Sequence, residues 1–122
     1  VRDILLTLEE VCTFENKFTY DIESPPPHLL EKYSREEVLY HIRQCEHSAL
    51  ISEPLYCYGG DLVEISDLSP SGHEYLANIR SDNIWNKTKN VAGEIGATSL
   101  SAMVQISSQI ITAIIKSQFG LT

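Results

Sequence analysis

The alternation of apolar and polar positions predicts a helix and then a strand at the start of the chain. Within residues 2–13, apolar side chains recur at helical spacing, at Ile4, Leu5, Leu8, Val11 and Cys12. Residues 17–22 alternate between apolar and polar side chains, which is typical of a short strand with one buried face. The three prolines at 25–27 then favour extended backbone, and residues 28–33 fit a short helix.

Capping and turn residues mark the elements that follow. Ser34 with Glu37 three residues later forms a capping-box pattern, so a helix is predicted over about 35–49. The runs 55–58 and 62–65 are rich in strand-forming residues, and the Gly-Gly-Asp between them predicts a β-hairpin. Ser69 followed by Pro70 predicts the start of another helix, because serine caps well and proline suits the first helical position.

The C-terminal quarter of the chain differs in character. Residues 86–97 contain Gly93 and Gly96 and predict a hinge, after which a helix is expected over about 98–119. No charged residue occurs from Ala97 to Ile115. A membrane span is disfavoured, because many of the side chains in this segment are Ser, Thr or Gln. Packing on the same domain and packing against a second copy remain open, and the apolar stripe favours the second copy. The predicted oligomerisation stripe is Leu100, Met103, Val104, Ile110, Ile111, Ile114 and Ile115.

The order of elements predicts an α+β fold of the winged helix-turn-helix type. The order helix, short strand, short helix, longer helix, hairpin and helix is that of a winged-helix domain with a three-helix core and a β-hairpin wing, followed by a C-terminal helical extension. The expected organisation is a winged-helix domain at 1–85, a hinge at 86–97 and an apolar oligomerisation helix at 98–122.

Composition narrows the classes of partner and compartment. The chain has 122 residues and a net charge of −8, which disfavours nucleic acid and anionic membranes as partners. The three cysteines, Cys12, Cys45 and Cys57, are an odd number without CxxC spacing, so we expect free thiols and a reducing, cytoplasmic setting. The sequence contains no basic region followed by an apolar run, so we expect no signal peptide within it.

Three segments carry a resemblance to known proteins. They are VRDILLTLEE at 1–10, YHIRQCEHSALI at 40–51 and GHEYLANIRSDNIWNKT at 72–88. The second resembles the end of the second helix-turn-helix helix in small winged-helix regulators, although Ser48-Ala49 stands where that pattern carries Ala-Gly. Together the three segments resemble a phage- and prophage-associated family known only as a domain of unknown function. The resemblance implies a winged helix and a phage-linked origin, and it brings no activity.

Charge decides between two function classes. A DNA-binding regulator would use the helix at about 35–49, with Arg35 and Arg43 as candidate phosphate contacts. Residues 44–79, however, contain six acids and neither Lys nor Arg. We therefore expect a non-catalytic protein that binds another protein, for example a host nucleic-acid-binding factor, and that forms a homo-oligomer. The candidate acidic interaction face is Glu46, Glu53, Asp61, Glu64 and Asp67.

No residue pattern predicts an enzyme, a metal site or a cofactor. His41 and Cys45 are four residues apart on one predicted helix, but no second closely spaced pair completes a zinc site. His73 and Glu74 are adjacent and diverge on a helix, without the HExxH spacing of a metalloprotease. We therefore expect His73 and Glu74 to belong to the start of a helix.

Overall fold

The computed structural model describes residues 1–120, which form an α+β fold with five α-helices and one three-stranded antiparallel sheet. The helices are α1 Arg2–Val11, α2 Arg35–His47, α3 Pro70–Ile79, α4 Asp82–Ile95 and α5 Leu100–Gln118. The strands are β1 Phe18–Asp21, β2 Leu55–Cys57 and β3 Leu62–Ile65, in the sheet order β1-β3-β2. Short 3₁₀ turns occur at His28–Leu30 and Tyr58–Gly60.

The predicted capping box at the start of α2 is confirmed. The Glu37 backbone N–H donates to Ser34 Oγ at 3.2 Å, and the Ser34 N–H donates to the Glu37 carboxylate at 3.3 Å. The predicted hairpin is also confirmed, since β2 pairs antiparallel with β3 and Tyr56 lies opposite Val63.

The end of α2 explains how the chain accommodates alanine where the regulator pattern has glycine. Ala49 adopts a left-handed conformation with φ of +56°, and the Leu50 N–H donates to the Cys45 carbonyl at 2.9 Å. This is the bonding of a Schellman motif, which glycine usually closes. The helix therefore ends as it would with glycine, with an alanine in a conformation that L-residues disfavour.

Gly72 holds the start of α3 close to the end of α2. The Ser69 N–H donates to the Leu50 carbonyl at 3.0 Å, and the Ser69 hydroxyl donates to the Ala49 carbonyl at 2.6 Å. The Ser69 hydroxyl also accepts the Gly72 N–H at 3.0 Å, which confirms Ser69 as the N-cap. A Cβ on Gly72 would lie 1.8 Å from the Leu50 carbonyl oxygen, so only glycine fits this approach.

The described chain forms two compact units, of which the first is Val1–His73 and the second begins at Glu74. The core of the first unit includes Leu5 and Leu8 of α1, Ile42 of α2, and Val63 and Ile65 of β3, none with measurable exposure. In the second unit α4 packs on α5, and four residues at 96–99 connect the two helices. Such a short connection makes the two helices an antiparallel pair.

The hinge expected at 86–97 is replaced by helix, because α4 continues to Ile95. Ser81 caps α4 by accepting the Ile84 N–H, and Gly93 is an ordinary helical residue. Of these two glycines, only Gly96, with φ of +70°, has the left-handed conformation that ends a helix. The C-terminal helix is confirmed as α5, while residues 121 and 122 of the predicted 98–122 segment lie outside the described residues. Across residues 1–120, no helix combines the length and apolarity that crossing a membrane requires.

The Asp3 carboxylate, which binds both Tyr33 and Lys32, fastens α1 to the segment before α2. Asp3 accepts a hydrogen bond from the Tyr33 hydroxyl at 2.5 Å, and the Lys32 ammonium lies 3.3 Å from the same carboxylate oxygen. Burial alone would raise the pKa of Asp3. The Tyr33 hydrogen bond and the Lys32 charge outweigh that effect, so the pKa lies below its ordinary value.

We expect Asp3→Asn to lower the free energy of unfolding by about 1 kcal/mol at neutral pH, because a charged acceptor is lost. A carboxyl whose folded pKa is lowered stabilises the protein above its unfolded pKa, and this contribution disappears as pH falls through the folded pKa. Urea unfolding from neutral to acidic pH should therefore show the two proteins converging below about pH 4. A difference of unchanged size in acid would contradict this account.

Candidate functional site

The two arginines that were candidate nucleic-acid contacts are engaged within the first unit. The Arg35 guanidinium lies over the Tyr20 ring, 4.8 Å from its centroid, and donates to the Gly60 carbonyl in the hairpin turn. Arg35 thereby connects the first turn of α2 to β1 and to the hairpin. The planar guanidinium can make both contacts at once, because its face lies over the ring while its N–H groups remain free to donate.

Arg43 is exposed on α2 and makes an intramolecular contact of its own. Its guanidinium lies 5.5 Å from the centroid of the Tyr56 ring, and the Tyr56 hydroxyl donates to Glu46 at 3.1 Å. Burial and the Glu46 hydrogen bond both raise the pKa of Tyr56. Glu46 is thus part of an Arg43–Tyr56–Glu46 arrangement between α2 and β2.

The pleat of the sheet determines which side chains lie on its buried face and which lie on its outer face. Phe18, Tyr20, Val63 and Ile65 are buried, so the alternate residues point to the other face. Glu64 lies on this outer face opposite Thr19, with the exposed Leu55 on its other side. Asp21, which pairs with Leu62, shares the outer face.

A hollow at the turn end of the sheet brings three carboxylates together with apolar side chains. This hairpin hollow has a volume of about 320 Å³ and is lined by Asp21, Ile22, Glu23, Tyr58, Asp61 and Leu62. Two hydrogen bonds donated by backbone N–H groups fix the shape of the hollow. The Ile22 N–H donates to the Asp61 carbonyl at 2.9 Å, and the Glu23 N–H donates to the Asp21 carboxylate at 3.0 Å.

The apolar part of the hairpin hollow is open to solvent. Tyr58 is 81% exposed and Ile22 is 54% exposed. Tyr58 also has a left-handed backbone with φ of +53°, which is rare for a bulky residue. The fold therefore presents an aromatic and an aliphatic side chain among carboxylates.

The predicted acidic face is only partly assembled. Asp61 lies in the hairpin hollow and Glu64 lies on the outer face of the same sheet, whereas Glu46 turns to Tyr56. Asp67 lies beyond the far end of the hairpin, with a carboxylate oxygen 3.7 Å from His73 Nε2, and the exposed Glu53 precedes β2.

Sequence reasoning missed Asp21, Ile22 and Glu23 as part of the site. They lie outside the span of residues 44–79 in which the acids were counted. The sequence did contain a signal, because the alternating run at 17–22 predicts a strand whose end lies beside two acidic residues. The pairing of β1 with β3, which brings them to Asp61, is a long-range contact that no local pattern specifies.

Burial shifts the pKa values of Cys45 and His41, which lie one turn apart on α2. Burial raises the pKa of the Cys45 thiol to about 11, so it is protonated at neutral pH and is a poor nucleophile. Burial lowers the pKa of His41, the residue one turn before it. Within residues 1–120, no group of three or more His, Cys, Asp or Glu residues is arranged to hold a metal ion.

The apolar stripe of α5 is divided between the interior of the second unit and solvent. Ile110 is buried and Leu100, Met103, Val104 and Ile111 are half-buried, while Ile114 and Ile115 are exposed. The last part of α5 is therefore the part of the stripe left open.

Comparison with known proteins gives one relationship. No curated protein and no solved structure is significantly similar to the chain. The family model described as "Hypothetical protein (DUF2513)" matches residues 1–99, which include all of the first unit, α3 and α4. The chain belongs to the DUF2513 family.

Proposed function

We propose that this chain is a non-catalytic protein-binding module of winged-helix type, and that its hairpin side binds a basic partner protein. The order α1-β1-α2-β2-β3-α3 and the sheet order β1-β3-β2 support the winged-helix assignment, with β2 and β3 as the wing. In this arrangement α2 takes the place of the recognition helix.

The observation that carries the proposal is the hairpin hollow. A lysine or arginine side chain entering it would meet carboxylates at Asp21, Glu23 and Asp61. Tyr58 and Ile22 would contact the aliphatic stem of that side chain, and the Tyr58 ring adds a cation–π contact. Within the part of the chain that the structure describes, none of the three carboxylates forms an ion pair, and only Asp21 among them accepts a hydrogen bond, from the Glu23 N–H.

The class of partner follows from the same chemistry. Proteins that bind nucleic acid carry exposed lysines and arginines placed for phosphates, and carboxylates can occupy those positions. We propose a host nucleic-acid-binding factor as the partner, in line with the phage-linked origin that the sequence resemblance implies. DNA binding by the chain itself is the competing function, and the contacts that Arg35 and Arg43 make with Tyr20 and Tyr56 of the same chain count against it.

The test is binding of a fluorescent arginine- and lysine-rich peptide, followed by anisotropy at about 50 and about 200 mM salt. Combining Glu23→Lys with Asp61→Lys should weaken binding at least about tenfold, and Tyr58→Ala should weaken it about threefold to tenfold. The matched control combines Glu31→Lys with Glu94→Lys, which makes the same charge change at exposed sites outside the hollow.

Two results would count against the proposal. Equal loss of binding in the control pair would mean that net charge alone attracts the peptide. A gel-shift assay at low salt showing nanomolar, sequence-specific binding to duplex DNA would instead identify the chain as a DNA-binding regulator.

A further inference from the structure

Strand β1 lies at the edge of the sheet, and its free side faces away from β3. Among the described strands, β3 is its one neighbour, and the register of this antiparallel pair continues to Ile22, whose N–H donates to the Asp61 carbonyl at 2.9 Å. In such a pair, residues whose backbone groups bind the neighbouring strand alternate with residues whose groups point away. Since Ile22 binds across, Thr19 and Asp21 direct their backbone groups outward.

Thr19 leaves an open backbone donor and an open acceptor at this edge. It is exposed, and within residues 1–120 no group outside the sheet bonds to its N–H or C=O. The Asp21 N–H points the same way, while the Asp21 carbonyl accepts the Ser24 N–H at 3.2 Å in a turn that ends the edge. An edge with unpaired backbone groups can pair with an extended segment of another chain.

Hollows lie on both faces of the sheet beside the end of this edge. The hairpin hollow, which includes Asp21, lies on the outer face. Beside the buried face, a second hollow of about 220 Å³ is lined by the Tyr20 and Tyr33 rings and by Pro26, with Arg35 and Asp21 as the charged residues of its lining. Because side chains of a strand alternate between two faces, a strand paired with β1 would direct successive side chains towards the two hollows.

Charge and polarity identify the side chains that fit each face. On the outer face, Asp21 and Glu64, which lies opposite Thr19, favour lysine or arginine in an added strand. Lys17 is the only base in residues 15–24, so an uncharged residue fits opposite it. In the second hollow, the Arg35 guanidinium disfavours another cation, and the aromatic lining favours an apolar side chain.

We propose that β1 binds an extended segment of the partner protein as a fourth, antiparallel strand of the sheet. In this segment lysine or arginine alternates with apolar residues. The basic side chains face the outer face and the hairpin hollow, and an apolar side chain between them enters the second hollow. Backbone hydrogen bonds give such strand addition its affinity, and pockets for alternate side chains give it specificity. The inference rests on the proposed function and adds the conformation and side-chain pattern of the partner.

The probe is the fluorescent peptide Lys-Val-Lys-Val-Thr, whose binding to the full chain is followed by anisotropy. Antiparallel pairing places its central lysine opposite Thr19 and its first lysine opposite Asp21. N-methylation of the central lysine removes the N–H that donates to the Thr19 carbonyl, and it should weaken binding at least about tenfold. N-methylation of the first valine is the matched control. That N–H points away from β1, so binding should change less than about twofold.

Two substitutions test the same pairing from the side of the protein. Thr19→Pro removes an N–H that points away from β3, so circular dichroism should show an unchanged fold, while peptide binding should fall at least about tenfold. Thr19→Val keeps the N–H and should bind the peptide as the native chain does. The N-methylated peptides need no change in the protein, so they decide the question even where Thr19→Pro disturbs the fold.

The outcomes separate this inference from the proposed function. Peptide binding that Glu23→Lys with Asp61→Lys abolishes, but that neither Thr19→Pro nor N-methylation of the central lysine weakens, would leave the hairpin hollow as the binding site and overturn the strand pairing. The opposite pattern would overturn the role of the hollow and support the pairing. Equally tight binding of Lys-Lys-Val-Val-Thr also overturns the pairing. Self-association of the native chain that Thr19→Pro abolishes would assign the edge to a second copy instead.

Discussion

Replacing Gly72 by alanine is expected to cost about 3 kcal/mol or more of the free energy of unfolding. The new Cβ would lie 1.8 Å from the Leu50 carbonyl oxygen and 2.9 Å from its carbon. Both are backbone atoms, so no side-chain rotation relieves the clash. Moving the backbone would disturb the bonds of Ser69 to the Leu50 and Ala49 carbonyls. Overpacking usually costs about 1–3 kcal/mol, and a clash with backbone belongs at or above the upper end.

Urea unfolding followed by circular dichroism measures this effect, and Gly93→Ala is its control. Gly93 lies inside α4 with no atom within 4 Å of the added Cβ. Alanine is the better helix former, so this substitution should raise stability by up to about 1 kcal/mol. Replacing glycine by alanine should thus lower the free energy of unfolding at position 72 and raise it at position 93. A Gly72→Ala protein as stable as the native chain would show that α3 does not approach Leu50 this closely.

Tyr20→Ala is expected to have the second large effect, a loss of about 3–5 kcal/mol. The Tyr20 ring is 6% exposed, its centroid lies 6.3 Å from that of Phe18, and it supports the Arg35 guanidinium. Truncation leaves a cavity and removes the support of a cation that also binds the Gly60 carbonyl. The loss therefore combines buried apolar area with a cation–π contact.

Tyr20→Phe separates these contributions, because it keeps the ring and should cost less than about 1 kcal/mol. A double-mutant cycle of Tyr20→Ala with Arg35→Ala should give a coupling free energy of about 1 kcal/mol. Additive losses in this cycle would mean that Arg35 does not depend on the ring. A cost of less than about 1.5 kcal/mol for Tyr20→Ala would place the ring outside the core.

The sequence predicted the elements whose signals are local. The Ser34–Glu37 capping box, the Gly-Gly-Asp hairpin turn and the Ser69-Pro70 start of α3 each depend on residues within a few positions, and each is confirmed. The hinge prediction failed because no local signal distinguishes the two glycines in that segment. Gly93 and Gly96 look alike in sequence, but only Gly96 of the two adopts positive φ, while Gly93 lies within α4, the helix that packs on α5.

The site was less predictable than the fold. A count of acids along residues 44–79 found Asp61 and Glu64 but could not find Asp21 and Glu23, which reach Asp61 through the β1–β3 pairing. The same count included Glu46, whose carboxylate accepts from Tyr56. The partners of a side chain across a sheet depend on the register of the strands, and counting charges along the sequence gives no information about register.

The division into two units also divides the net charge. Residues 1–73 contain 14 acidic and 5 basic residues, for a net charge of −9, whereas residues 74–122 contain 3 acidic and 4 basic residues, for +1. Copies of the protein therefore repel one another mainly through their first units, and dissolved salt screens that repulsion. Added salt should therefore weaken the capture of a basic partner by the first unit, while contacts made through the nearly neutral second unit should change little. A salt titration thus separates binding that depends on the charge of the first unit from binding through the second.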